Sequence, residues 1–284
     1  MIKRIRDFLD SQGELPRRIR NRHHAFWSDP CSETVRNMPM TASDAMTNWK
    51  NTTYWQRKLS NKYNAREFAI LNGCQVPDLY WKGKDMNYLD FSALPENYVI
   101  RPSVGHNSNN VFIMKDGLNL FDGKTYTPKE IITYCQSVRQ TNPAIEFLVE
   151  EFLQSTDGTF RILDDYKFMC FNGHIATCHV INRLSPKAGF GCFYDTQWNK
   201  MKPLHTTYPM RDGQVKPACF DEMVQQAQKL SKAYEIFVRI DFYATCKGAV
   251  FGEFTPTPGM GQGFSAYGKK LLISYWDQYC PGKI

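Results

Sequence analysis

The sequence predicts an α+β protein of two lobes, each an antiparallel sheet backed by helices, behind a mostly helical N-terminal region. Three observations predict it. Residues 98–117 read strand, polar loop, strand. Residues 165–183 read as two strands around an Asn172-Gly173 turn, a strong short hairpin signal. Residues 237–259 read as a further strand pair, and helical patterns separate the three segments.

The elements follow in order. Residues 1–92 are read as an N-terminal helical and α+β region. Within it, residues 54–71 (YWQRKLSNKYNAREFAIL) place apolar side chains at helical spacing. A short strand is expected at 75–81. YVIRP (98–102) is apolar and β-branched up to Pro102, SVGHNSNN (103–110) is small and polar, and VFIMKDG (111–117) is a strand ending in a turn. TPKEIITYCQSVRQ (127–140) predicts a helix with Thr127 as N-cap and Pro128 in the first position. FLVEEFL (147–153) is an apolar strand ending in acids. Residues 220–234 predict an amphipathic helix with Asp221 and Glu222 in its first turn, where acids complement the helix dipole. The expected boundaries are 1–92, 93–153 for the first lobe and 154–284 for the second.

Composition narrows the class. The 284 residues are 42% hydrophobic and 14% aromatic, enough for a large core. No run of 18 or more apolar residues occurs, so no spanning helix is expected, and no secretory h-region follows the basic start. The nine cysteines form no CxxC pair, which argues against a zinc site and for reduced thiols in the cytoplasm. The net charge of +7 fits an anionic partner without choosing one. Much of it lies at Lys3, Arg4, Arg6, Arg17, Arg18, Arg20 and Arg22. These form a solvated face, or a surface for an anionic polymer or a peripheral membrane contact. No aromatic–basic stacking motif for nucleic acid appears.

The chemistry concentrates in three segments. Asp241 and Glu253 each sit mid-strand between apolar neighbours, twelve positions apart around a turn at 246–248. Pairing those strands brings both carboxylates together. Acids in such a setting need compensation, and Mg²⁺ with phosphate oxygens supplies it; two acids on a solvated hairpin face are the alternative. Arg239 lies two residues before Asp241, on the same strand face. The turn-rich TPTPGMGQG (255–263) follows at once. In the second segment Arg101 ends an apolar strand, and the loop with Ser103, Gly105, Asn107 and Ser108 lets backbone amides approach phosphate, although it lacks P-loop spacing. In the third, Glu150 and Glu151 end a strand while Asp165 and Lys167 share a face of the next; a cross-strand salt bridge is the plain alternative to a ligand-binding pair.

NKYNAREFAILNG (61–73), LPENYVIRPSVGHNSNNVFI (94–113), LVEEFL (148–153), DYKFMCFNG (165–173) and VRIDFYATCKGAVFGEFTPTPG (238–259) together resemble the TupA-like family of the ATP-grasp superfamily, typified by a teichuronopeptide-biosynthesis protein. The resemblance implies an ATP-grasp fold with ATP between two lobes. It implies that Arg101 and the loop holding Gly105, Asn107 and Ser108 bind phosphates. Glu150, Glu151, Phe152 and Leu153 match the hinge whose backbone reads adenine, and Asp165 and Lys167 match the acid and cation opening the second lobe. Arg183 and Arg239 take catalytic roles, and Asp241, Glu253 and Thr255 hold Mg²⁺. Thr255 stands where the superfamily often has Asn, and the phosphate loop is poor in glycine. The implied activity is an ATP-dependent carboxylate–amine ligase working through an acylphosphate in cell-surface polysaccharide or peptide-conjugate synthesis. Its substrates would be a small carboxylate and an amine, or an anionic polysaccharide or peptide acceptor. An ATP-grasp phosphotransferase and a non-catalytic nucleotide-binding module are the alternatives.

Overall fold

The computed structural model describes residues 13–105, 109–185, 188–205 and 207–284. Helices α1 (Glu14–Ser28), α2 (Ser32–Asn37) and α3 (Met46–Trp49) come first. The segment expected as one helix over 54–71 divides into a 3-10 turn, Trp55–Ser60, and α4 (Lys62–Leu71). The break is at Asn61, whose side chain accepts from the Tyr63 amide and so starts a new helix.

The strand expected at 75–81 begins later, as β1 (Leu79–Gly83). Pro77 cannot donate to a ladder, and Gln75 instead makes a lone parallel bridge to Val250. Then come β2 (Asn97–Pro102), β3 (Phe112–Lys115), β4 (Leu118–Asn119), β5 (Lys124–Thr125), α5 (Pro128–Thr141) and β6 (Phe147–Glu151). α5 has the anticipated cap, extended to a full capping box with Glu130. The first sheet runs β1-β6-β2-β3-β4-β5, so it takes in a strand ahead of residue 93. Ile100, Phe112, Met114, Phe147 and Val149 of this sheet pack on Ile131 and Cys135 of α5.

The second sheet is built from β7 (Asp165–Phe171), β8 (His174–Arg183), β9 (Gly189–Tyr194), β10 (Phe237–Thr245) and β11 (Gly248–Thr255), with α6 (Phe220–Tyr234) between β9 and β10 and α7 (Ala266–Tyr279) at the end. Its order is β11-β10-β7-β8-β9. Asn172 (φ 48°) and Gly173 (φ 93°) form the β7–β8 turn, the two positive values that a type I′ hairpin needs.

Strand alternation gives this sheet two unlike faces. One carries Phe168, Cys178, Val238, Ile240 and Phe254, and packs on α6 and on Trp49, Trp55 and Phe68. The helical N-terminal region therefore shares its core with the second sheet. On the other face Met169, Phe171, Phe193 and Phe237 pack on Leu15 and Ile19 of α1 and on Leu272 and Trp276 of α7. These helices cover only one end of that face. At its other end the same strands present Asp165, Lys167, His179, Asp241 and Glu253.

Candidate active site

Register, rather than sequence proximity, assembles the site. Asp241 pairs with Glu253 on β11 and with Lys167 on β7, and Lys167 pairs with His179 on β8. His179 pairs with Phe193 on β9. One row, Glu253-Asp241-Lys167-His179-Phe193, thus crosses all five strands on a single face. The row beside it holds Thr255, Arg239, Met169 and Thr177.

The row is knitted by ion pairs. Arg239 grips Asp241 with two parallel bonds of 2.7 Å, Nε to Oδ1 and Nη2 to Oδ2, and Nη2 also donates to Glu253 Oε1 at 3.2 Å. Lys167 donates to Asp241 Oδ2, and to Asp165 Oδ1 at 3.2 Å. Arg183 Nε donates to Asp165 Oδ2 at 2.5 Å and its Nη1 to the Tyr208 hydroxyl at 2.8 Å. Burial alone would raise the Asp241 carboxyl; Arg239 and Lys167 outweigh it and hold the group below its ordinary value. Burial would likewise discharge Arg239, yet Asp241 and Glu253 raise it further. Asp165, Lys167, Arg183, Arg239, Asp241 and Glu253 therefore form one charged network. The alternative of a plain salt bridge between Asp165 and Lys167 is present too, but as one link of it.

The first sheet brings Arg101, which holds Glu150 through Nε to Oε2 and through Nη2 to Oε1 at 3.1 Å. Glu150, expected in the hinge, lies in β6, and its 2% exposed side chain serves Arg101. Burial alone would lower the Arg101 guanidinium; Glu150 above all, then Tyr243 and Glu253 of the second sheet, raise it. Asn107 and Ser108 lie outside the described residues, as do Lys3, Arg4 and Arg6. Gly105 accepts from Lys62 Nζ at 3.0 Å, and the Lys62 amide donates to Ser103 O at 2.7 Å. Burial pushes the Lys62 ammonium down, while Glu253 and Glu150 act to keep its charge.

Lys62 is the residue the sequence reading missed: it lies about forty positions ahead of the loop it reaches, and only its place in the first turn of α4 marks it. Tyr208 and His179 were missed for a related reason. Nothing in their local pattern tells that they join Arg183 and Lys167. Among the residues expected to border the base, the Glu151 amide donates to Asp78 O at 2.8 Å and Lys247 Nζ reaches Glu151 Oε1 at 2.6 Å. Phe152 packs on Phe160, and Leu153 lies with Leu163, Val250 and Tyr243 in a small apolar cluster.

The donor set suits a hard divalent cation at the Glu253 end. The Glu253 side chain is 39% exposed, and Thr255 Oγ1 lies 3.4 Å from its Oε1. Mg²⁺ takes one or two carboxylates with the rest of its shell from phosphate and water. Asp241 already faces two cationic side chains, so it suits a shared ligand rather than a sole one.

The profile of the TupA-like ATP-grasp family matches residues 44–271. The chain belongs to that family. Among solved structures, this TupA-like chain resembles the D-alanine–D-alanine ligase from Helicobacter pylori, with TM-score 0.50 and 20% identity over 80% of this chain and 61% of that one. It also resembles the D-alanine–D-alanine ligase from Bacillus anthracis complexed with ATP, with TM-score 0.50 and 16% identity over 78% and 65% of the two chains. An L-amino acid ligase from Bacillus licheniformis gives TM-score 0.49 at 13% identity, over 76% and 48%. The TupA-like chain thus spans less than two thirds of the ligases it resembles. At these identities the likeness is one of fold, the ATP-grasp fold of two antiparallel sheets with helices. No curated protein matches the chain.

Proposed function

We propose that this protein is an ATP-dependent carboxylate–amine ligase that forms an amide through an acylphosphate. The observation that carries the proposal is the register pairing of Asp241 with Glu253, bridged by Arg239, facing Arg101 and Lys62 across the two sheets. Acids and cations converging in this way suit a triphosphate with a divalent cation.

Lys62, Arg101 and Lys167 hold the phosphates, with Gly105, Asn107 and Ser108 covering them. Glu151, Phe152 and Leu153 border the base, and Glu150 orients Arg101. Glu253, Thr255 and Asp241 would hold Mg²⁺, which neutralises charge on the transferring phosphoryl group. The substrate carboxylate attacks the γ-phosphorus, giving acylphosphate and ADP. Arg183, fixed between Asp165 and Tyr208, and Arg239 stabilise the oxyanion as the amine displaces phosphate. The resemblance to ligases of amino acids supports a small carboxylate and an amine as substrates. The family's type member supports a cell-surface polysaccharide or peptide conjugate as the product. Nine free thiols suit a reducing cytoplasm. Among the described residues no helix is long and apolar enough to cross a membrane.

The test is ADP release with and without Mg²⁺ from a panel of amino acids and uronic acids, in the presence of hydroxylamine. An acyl hydroxamate appearing with ADP is the expected result. A phosphorylated hydroxyl compound with no hydroxamate would instead establish a phosphotransferase.

A further inference from the structure

Where α1, the 3-10 turn at Trp55–Ser60 and the end of α6 meet, the protein buries more cations than acids. Arg22, expected with the basic start of the chain on a solvated face, is 0% exposed; Tyr234 is 0% and Arg57 2% exposed. Arg22 Nη1 donates to Phe237 O and, at 3.3 Å, to Pro256 O, and its Nη2 donates to Ile284 O at 2.5 Å. These acceptors are main-chain carbonyls, and among the described residues no carboxylate pairs with Arg22. Arg57 Nη2 donates to Glu33 Oε1 at 3.1 Å, and its guanidinium lies over Trp27, 3.5 Å from the ring centroid. Glu33 also accepts from Arg36. One half-exposed carboxylate therefore serves two guanidiniums, and the third has none.

Four buried polar atoms here lack a hydrogen-bond partner: Arg22 Nε, His23 Nδ1, Arg57 Nε and the Tyr234 hydroxyl. They belong to one junction. The charges of Arg22 and Arg57 both act on the Tyr234 hydroxyl, and that of Arg57 acts on His23. The His23 ring centroid lies 5.5 Å from that of Trp27, the ring on which Arg57 rests. Native interiors leave few such atoms, so several in one place call for an absent acceptor.

The chemistry of the four selects it. An arginine Nε can only donate, and the tyrosine hydroxyl has a proton to give. A water in their midst would bring two protons of its own and no charge. An anion accepts every bond and offsets the surplus of cations. Burial pushes both guanidiniums down to about 10, Arg36 adding to it at Arg57, and a neighbouring anion opposes that. The walls are aromatic. Phe237 and Trp276 lie 5.3 and 4.7 Å from the Arg22 guanidinium, and Trp55 and Phe254 lie 6.2 and 5.3 Å from the Tyr234 ring. They offer little to the several oxygens of a phosphate, so a small monoatomic ion suits the place.

We propose that this junction binds a halide ion, chloride in solution, through Arg22 Nε, Arg57 Nε and the Tyr234 hydroxyl. The ion ties together three elements distant in sequence. It lies behind β11, on the face opposite the row that holds Glu253 and Asp241, and it is independent of the ligase reading.

The full chain is melted in sodium gluconate, acetate, chloride and bromide at matched ionic strength. Chloride and bromide should raise the midpoint saturably, by about 5 °C at a hundredfold excess over Kd, while acetate matches gluconate. Tyr234→Phe keeps the ring and removes one donor, so it should need about tenfold more chloride for the same rise. Arg57→Gln should abolish the rise. Crystals grown in bromide should show anomalous scattering between Arg22, Arg57 and Tyr234. Equal midpoints in chloride and gluconate, an equal rise in acetate, a Tyr234→Phe titration like that of wild type, or a water in place of bromide would each overturn the site.

Discussion

At the residue scale, Asp241 carries the greatest burden. It is 2% exposed and compensated by two cations at once. Removing one partner of such a buried set leaves uncompensated charge, which costs about 3 kcal/mol or more. Asp241→Asn should lower the melting temperature in calorimetry by several degrees and abolish ADP release. The sign with pH follows from its depressed pKa. The stabilisation is complete above the unfolded value near 4 and is lost as pH falls through the lower folded value. The wild type should therefore lose the advantage over Asp241→Asn in strongly acidic denaturation series, and keep it at pH 6–8. His179 has the opposite chemistry but the same direction. Its folded pKa lies below about 6.5, so the unfolded chain gains a proton that the folded one refuses. Stability contributed by the neutral ring is present above about pH 6.5 and declines below it by up to about 1.4 kcal/mol per unit. Urea titrations of His179→Gln should show a flatter profile between pH 5 and 7 than the wild type. Lys62→Ala should weaken nucleotide binding by about tenfold or more in a fluorescence titration, since the ammonium sits among Glu253, Glu150 and Arg101.

At the element scale, strands proved more legible than their partners. The Asn172-Gly173 turn, the Thr127 cap and the acids of the 237–259 pair were readable because each rests on a local signal. The face shared by Asp165 and Lys167, and by Arg239 and Asp241, followed from the two-residue period. Strand β9 and helix α7 were not anticipated. β9 carries Gly189 and Gly191, which weaken strand propensity, and both are required by close neighbours. α7 has Gly268 in its first turn, where a Cβ would meet Leu204 O at 2.5 Å. The need for these glycines lies in elements distant in sequence. Gly261 is a sharper case: it has φ +75°, and a Cβ there would come within 2.6 Å of Pro16 Cα. Main chain cannot yield as a side chain does, so Gly261→Ala should destabilise the fold by about 2 kcal/mol. Differential scanning calorimetry would report it as a drop of a few degrees.

At the scale of the whole molecule, the two-lobe plan was predictable from element order, whereas the junction between lobes was not. The helices before residue 72 proved to be part of the second sheet's core, because Trp49, Trp55 and Phe68 find their partners in Phe254 and its neighbours. Their apolar spacing foretold a buried face without naming the surface that buries it. The same junction places Lys62 beside Gly105. Nucleotide that binds between sheets should stabilise the folded chain by mass action, about 2.7 kcal/mol at a hundredfold excess over Kd. A thermal-shift titration with ATP and Mg²⁺ should show that increase in wild type, and Glu253→Gln should lose most of its Mg²⁺-dependent part.

The lobes are fastened along two separate lines. On one, Phe251 N donates to Gln75 O at 2.9 Å and Lys247 Nζ reaches Glu151 Oε1 at 2.6 Å. On the other, the Lys62 amide holds Ser103 O. The first line behaves as the spine of a book and the second as its clasp. Undoing the clasp would cost about 1 kcal/mol for a single main-chain bond. The lysine proposed to meet the phosphates is thus also the one whose main chain fastens the covers.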